Sequence, residues 1–140
     1  MGERERSEEY VIDLSCTIMD NLLYISDLKI LLNELKKRNS KTELKGIILT
    51  IYSSIEKNTV NYLECLPEFI SGDFDKLKED IVHYLEDFIN LNLKSIKLRL
   101  KVLKSLSEYT KNENKKKYEF VMEMIKNIET ILKEIFNEQL

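Results

Sequence analysis

Apolar residues recur along most of the chain at intervals of three and four, the spacing that lines one face of an α-helix. From Val11 the series runs through Leu14, Ile18, Ile25, Leu28, Leu32 and Leu35, with Asn21 as its one polar member. Ser7, Glu8 and Glu9 supply a capping hydroxyl and first-turn acids. A first helix is therefore predicted from Ser7 to the basic run Lys36-Lys37-Arg38-Asn39, with residues 1–6 as a frayed end. Ser40-Lys41-Thr42-Glu43 has the spacing of a capping box. The second helix that follows carries Leu44, Ile48, Ile51, Ile55, Tyr62 and Leu66, and it stops at Pro67, which disfavours helical geometry in the residue before it. Asp73 is the expected N-cap of a third helix. Leu77, Ile81, Tyr84, Leu85 and Phe88 form its first stripe, and Ile89, Leu93, Ile96, Leu100, Leu103 and Leu106 continue it with a shift of phase. Neither Pro nor Gly interrupts it before Tyr109, so one long helix is expected, with Asn90-Leu91-Asn92 as the place for any break. Asn112-Glu113-Asn114 with Lys115, Lys116 and Lys117 reads as a polar turn. A fourth helix then carries Tyr118, Val121, Met122, Ile125, Ile128, Leu132 and Ile135.

Connectors this short join antiparallel neighbours. The expected fold is all-α: a single domain over residues 1–140, built as an antiparallel up-down-up-down four-helix bundle with long helices. The alternative is a five-helix arrangement with the third segment broken near Asn92.

Composition agrees. The 140 residues include 3 Gly and 1 Pro, too few to punctuate a sheet protein or to build a glycine-rich nucleotide loop. There are 21 Leu and 16 Ile but no Ala, so bulky, coiled-coil-like interhelical spacing is expected. An apolar fraction of 43% places the chain among folding rather than disordered sequences. The longest uncharged apolar run, residues 46–55, is far shorter than the roughly 18–20 residues of a membrane span. The charged N-terminus argues against a signal peptide, and two cysteines are too few for a disulfide framework. A cytoplasmic protein without membrane association is expected.

The net charge of −3 hides a strong layout. Residues 64–87 carry net −6 and residues 94–117 carry net +7. In the expected bundle the first and third connectors share one end. Lys36, Lys37, Arg38 and Lys41 would meet Lys104, Lys111, Lys115, Lys116 and Lys117 there, opposite an acidic end. Clustered lysine suits phosphate neutralisation. However, the cluster lacks interleaved aromatics for base stacking, and Arg99 is the one arginine of residues 94–117. Tyr109 and Tyr118, which flank the third connector, also fit core positions.

The first helix carries more apolar residues than one seam requires. Ile12, Cys16, Met19, Leu23 and Ile30 form a second line on its outer side. Phe120, Met124 and Ile131 form a weaker one on the fourth helix, as do Leu91, Leu98 and Val102 on the third. A helix apolar on two sides is either central in its domain or covered by something else. A symmetric homodimer through the first helix is the simplest such cover.

Enzyme signatures are nearly absent. His83 is the sole histidine, and Glu79 and Asp80 beside it do not complete a metal site on one helix. No Cys-x-x-Cys pair occurs, and the acids of residues 64–87 do not follow calcium-loop spacing. Cys16 and Cys65 fall at similar heights in the expected bundle, but the outward position of Cys16 favours two free thiols. The chain is thus expected to be a non-enzymatic interaction or adaptor protein without cofactors or metals. Its partner would be a protein or a second copy of itself. The alternative is a nucleic-acid-associated accessory protein that binds phosphates through the lysine-rich end.

Overall fold

The computed structural model describes residues 3–37 and 74–137, and every regular element among them is an α-helix. These helices are α1 (Glu3–Lys37), α2 (Phe74–Thr110) and α3 (Lys115–Phe136). They are the first, third and fourth helices predicted from the sequence. The predicted second helix, with its capping box and Pro67, lies outside the described residues, as do Arg38, Lys41, Cys65 and Asp73.

The starts of α1 and α3 differ from expectation, whereas α2 is continuous as expected. α1 is already helical at Glu3, so Ser7 lies within it rather than at its start. The Glu and Arg residues there are good helix formers and need no later start. α2 runs for 37 residues straight through Asn90-Leu91-Asn92, so the five-helix alternative does not hold. Asparagine costs a helix far less than Gly or Pro does. The connector before α3 is shorter than predicted, because Lys115, Lys116 and Lys117 form the first turn of α3 rather than a loop. Asn114 is the N-cap: it has extended geometry, and its side chain accepts a hydrogen bond from the Lys117 N–H at 3.2 Å. The Glu113 and Asn114 N–H groups donate to the Thr110 carbonyl at 3.1 and 3.2 Å, which closes the turn. At its far end α3 stops on Asn137, whose left-handed geometry (φ 53°) lets its N–H reach the Leu132 carbonyl.

The chain divides into two compact units. The first comprises Met1–Ser26 and Leu91–Leu140, and the second Asp27–Asn90. In the first, α1 buries Val11, Ser15, Ile18, Leu22 and Ile25, and α2 buries Leu93, Ile96, Leu100 and Leu103. α3 adds Val121, Ile125, Ile128 and Leu132. The four-residue connector and the Lys104–Glu129 ion pair (2.6 Å) tie α2 and α3 into a helical hairpin. In the second unit α1 buries Leu28, Leu32 and Leu35, and α2 buries Ile81, Leu85 and Ile89. Lys36 and Glu86 join these two stretches at 2.7 Å. Tyr84 and Phe88 stack one turn apart on α2, with ring centroids 6.1 Å apart.

The buried stripe of α1 departs from prediction in its first half. Ser15 and Leu22 are buried where Leu14 and Asn21 were expected, and the latter two are half-buried. On α2 the phase shift is real and needs no break. Ile81, Leu85, Ile89 and Leu93 succeed one another at intervals of four. Each such step advances the stripe by about 40° around a helix of 3.6 residues per turn. On α3 Met122 and Ile135 are exposed rather than buried, and Tyr118 is half-buried.

Bulky residues are not alone in the core. Ser15, Ser26 and Ser107 are buried, as is Thr110, so serine takes the role of the missing alanine. Each hydroxyl donates back to its own helix: Ser15 to the Ile12 carbonyl (2.7 Å), Ser26 to Leu22 (2.7 Å), Ser107 to Lys104 (2.8 Å) and Thr110 to Ser107 (2.8 Å). Among the described residues no buried side-chain N or O atom lacks a partner. These bonds are local, and removing a hydroxyl leaves a carbonyl that keeps its helical N–H donor. Ser107→Ala is therefore expected to change stability by less than about 1 kcal/mol. Ser107→Leu overpacks the site and costs about 1–3 kcal/mol. Urea denaturation of the two variants beside the parent measures both.

Candidate interaction surfaces

The outer line predicted on α1 is present. Cys16, Leu23 and Ile30 are exposed, Leu23 at 49%, while Ile12 and Met19 are half-buried at its margin. Ile12, Cys16, Met19 and Leu23 belong to the first unit and Ile30 to the second. They lie beside the buried stripe on the same helix, so α1 is apolar on two sides. α2 carries a second exposed row in the first unit: Leu91 (69%), Leu98 (65%) and Val102, with Tyr109 (80%) at its end. Tyr109 thus lies outside the core position it was also expected to fit, because the last turn of α2 turns it to solvent. On α3 Phe120 is exposed, and Met124 and Ile131 are half-buried.

Beside each row stands a pair of like charges at seven-residue spacing. Asp13 and Asp20 flank the row on α1, and Lys94 and Lys101 flank the row on α2. All four are exposed. That seven-residue recurrence is visible in the sequence, but a reading of the apolar pattern alone passes over it.

The predicted lysine set divides. Lys36 and Lys37 belong to the second unit, and Lys104, Lys111, Lys115, Lys116 and Lys117 to the first. Two members are engaged with carboxylates, Lys36 with Glu86 and Lys104 with Glu129. Lys111, Lys115 and Lys116 are exposed, and Lys117 is half-buried. Lys115, Lys116 and Lys117 stand at the positive end of the α3 macrodipole, where acids are the usual stabilising residues and none is present.

Among the described residues, chemistry-bearing side chains do not converge. His83 is exposed, with Glu79 one turn away at 4.0 Å. Among the described residues no cluster of three or more His, Cys, Asp or Glu has the arrangement to hold a metal. An open groove of about 310 Å³ runs between α2 and α3, lined by Ser107, Met122 and Ile125 and bounded by the Lys104–Glu129 pair. It contains neither a histidine nor a cysteine. No described helix is long and apolar enough to cross a membrane. No protein-family model, no curated protein and no solved structure matches the chain.

The clearest electrostatic effect lies in the second unit. The hydrogen bond from the Lys36 ammonium holds the Glu86 carboxyl below its ordinary value, helped by the charges of Lys36, His83 and Lys29 and opposed by slight desolvation. A carboxylate that is easier to ionise in the folded state stabilises that state at neutral pH. The contribution is lost as pH falls through the lowered value. Both side chains keep more than a third of their surface in water, so solvent screening keeps the effect small. Glu86→Gln is expected to destabilise by about 0.2–1 kcal/mol at pH 7. The difference should vanish in acid, as read by denaturation of parent and variant at both pH values.

Proposed function

We propose that the chain is a non-enzymatic interaction protein that associates with a second copy of itself through the outer face of α1. In this reading a homodimer is the simplest closed assembly. The observation that carries it is the exposed row on α1. Cys16 and Leu23 stand in water on a helix whose other side is fully packed, with Ile12 and Met19 at the margin. A continuous apolar row on a long helix is the kind of surface that buries itself against another helix. Met19→Glu together with Leu23→Glu places two charges in that row. The double variant is expected to have the mass of a monomer by light scattering under conditions where the parent is larger. An unchanged mass for the variant removes the proposal.

A second reading is favoured by the start of α3. Three lysines in a first turn add to the positive end of the helix dipole instead of offsetting it, which raises the local potential for anions. In this reading Lys111, Lys115, Lys116 and Lys117 contact the phosphates of a nucleic acid. Lys104 contributes less because Glu129 already neutralises it. Binding of a mixed-sequence DNA or RNA duplex should then weaken steeply as salt rises. It should also fall by more than about tenfold when Lys115, Lys116 and Lys117 are changed to Glu. Equal binding by parent and variant in a fluorescence anisotropy titration rejects this reading.

A further inference from the structure

The outer rows of α1 and α2 each hold two exposed apolar residues seven apart beside two like charges seven apart, acidic on α1 and basic on α2. Both lie in the first unit. On α1 the exposed pair Cys16 and Leu23 is flanked by Asp13 and Asp20. On α2 the exposed pair Leu91 and Leu98 is flanked by Lys94 and Lys101. Each pair spans seven residues, two turns of helix or about 10.5 Å. None of these four charges takes part in an ion pair among the described residues, unlike Lys36 and Lys104. The two surfaces therefore carry pairs of opposite charge at the same interval beside an apolar row, with the exposed Glu108 one heptad beyond Lys101.

We infer that the surface receiving the α1 row is the α2 row of a second copy of this chain. The inference rests on the self-association reading above and names the counterpart surface. Packing α1 against α1 of the second copy would set two acidic rows side by side, and like charges across an interface are costly. Packing α1 against α2 pairs Asp13 and Asp20 with Lys94 and Lys101 and joins Leu23 to Leu91 and Leu98. The geometry also selects a direction. Asp20 lies four residues beyond Cys16, whereas Lys94 lies three residues beyond Leu91. Four residues advance about 40° around the helix and three fall about 60° short of a full turn, so the charged rows occupy opposite flanks of their apolar rows. Opposite flanks meet when the two helices run parallel, as e and g positions do in a parallel coiled coil.

The test uses two full-length double variants, Asp13→Lys with Asp20→Lys, and Lys94→Glu with Lys101→Glu, measured by sedimentation velocity. All four positions are exposed, and far-UV circular dichroism verifies that helicity is retained. The expected result is that the parent associates and that each variant alone loses more than about tenfold in affinity. An equimolar mixture of the two variants should associate again, because each supplies the partner of the other. Added salt should weaken association of the parent by screening these exposed pairs. Three results overturn the inference: a mixture that stays monomeric, association of the parent that is indifferent to salt, or a Lys94/Lys101 variant that keeps the parent's mass. The last leaves the α1 reading standing, since the aspartate variant alone would then be defective. A parent that is monomeric at every concentration overturns both.

Discussion

The structure depends on one requirement. Helices of 35 and 37 residues cannot rely on backbone hydrogen bonds alone in water, because most helix stability in proteins comes from packing an apolar face. The burial of one continuous Leu/Ile stripe per helix follows from that. So does the way the stripes change phase. On α1 the buried positions step 4-3-4-3 from Val11 to Ile25 and resume at Leu28. On α2 they step by four from Ile81 to Leu93 before settling into alternating threes and fours. On α1 the change falls at Ser26 to Asp27, the boundary between the two compact units, and on α2 it follows at Leu93, just past the boundary at Asn90 to Leu91. A helix that serves two cores must aim its stripe separately at each. It does so by a change of interval, without Pro or Gly.

Much of this was legible in the sequence, and the failures have physical causes. The existence of the three described helices, the continuity of α2 and the outward position of Cys16 all follow from spacing. The core of α1 was misplaced by one position because Leu14 outranks Ser15 on any apolarity scale. Yet the Ser15 hydroxyl is satisfied by the Ile12 carbonyl and enters the core at little cost. The same bond hides Ser26 and Ser107 from a reading that treats serine as a surface residue. Ile135 and Tyr109 were placed at stripe positions, but each lies next to a helix end, where fewer neighbours remain to cover it, and Met122, two turns into α3, lines the open groove between α2 and α3. Lys115, Lys116 and Lys117 were read as loop on their polarity, whereas the start of α3 is set by the capping geometry of Asn114.

Charge was the less legible half. Net charge and segment totals identified where acids and bases concentrate but not which of them are already spoken for. Lys36 and Lys104 belong to the basic set by sequence and to internal ion pairs by structure. What remains on the outside is ordered by the heptad. A heptad row beside an apolar row is invisible to composition and obvious once the helix face is known.

This ordering bears on what the outer faces can do. An apolar row alone buries against any other apolar row, so it offers affinity without choice of partner or register. Charges at the same interval add the choice, since opposite rows steer and align an encounter while like rows oppose it. α1 supplies such a combination with one sign and α2 with the other. The absence of converging histidine, cysteine or carboxylate groups among the described residues leaves these faces as the features for which the interior offers no use. In the proposed assembly their seven-residue spacing ties the exposed leucines and the exposed charges to a single role, contact with a second helix laid along each of them.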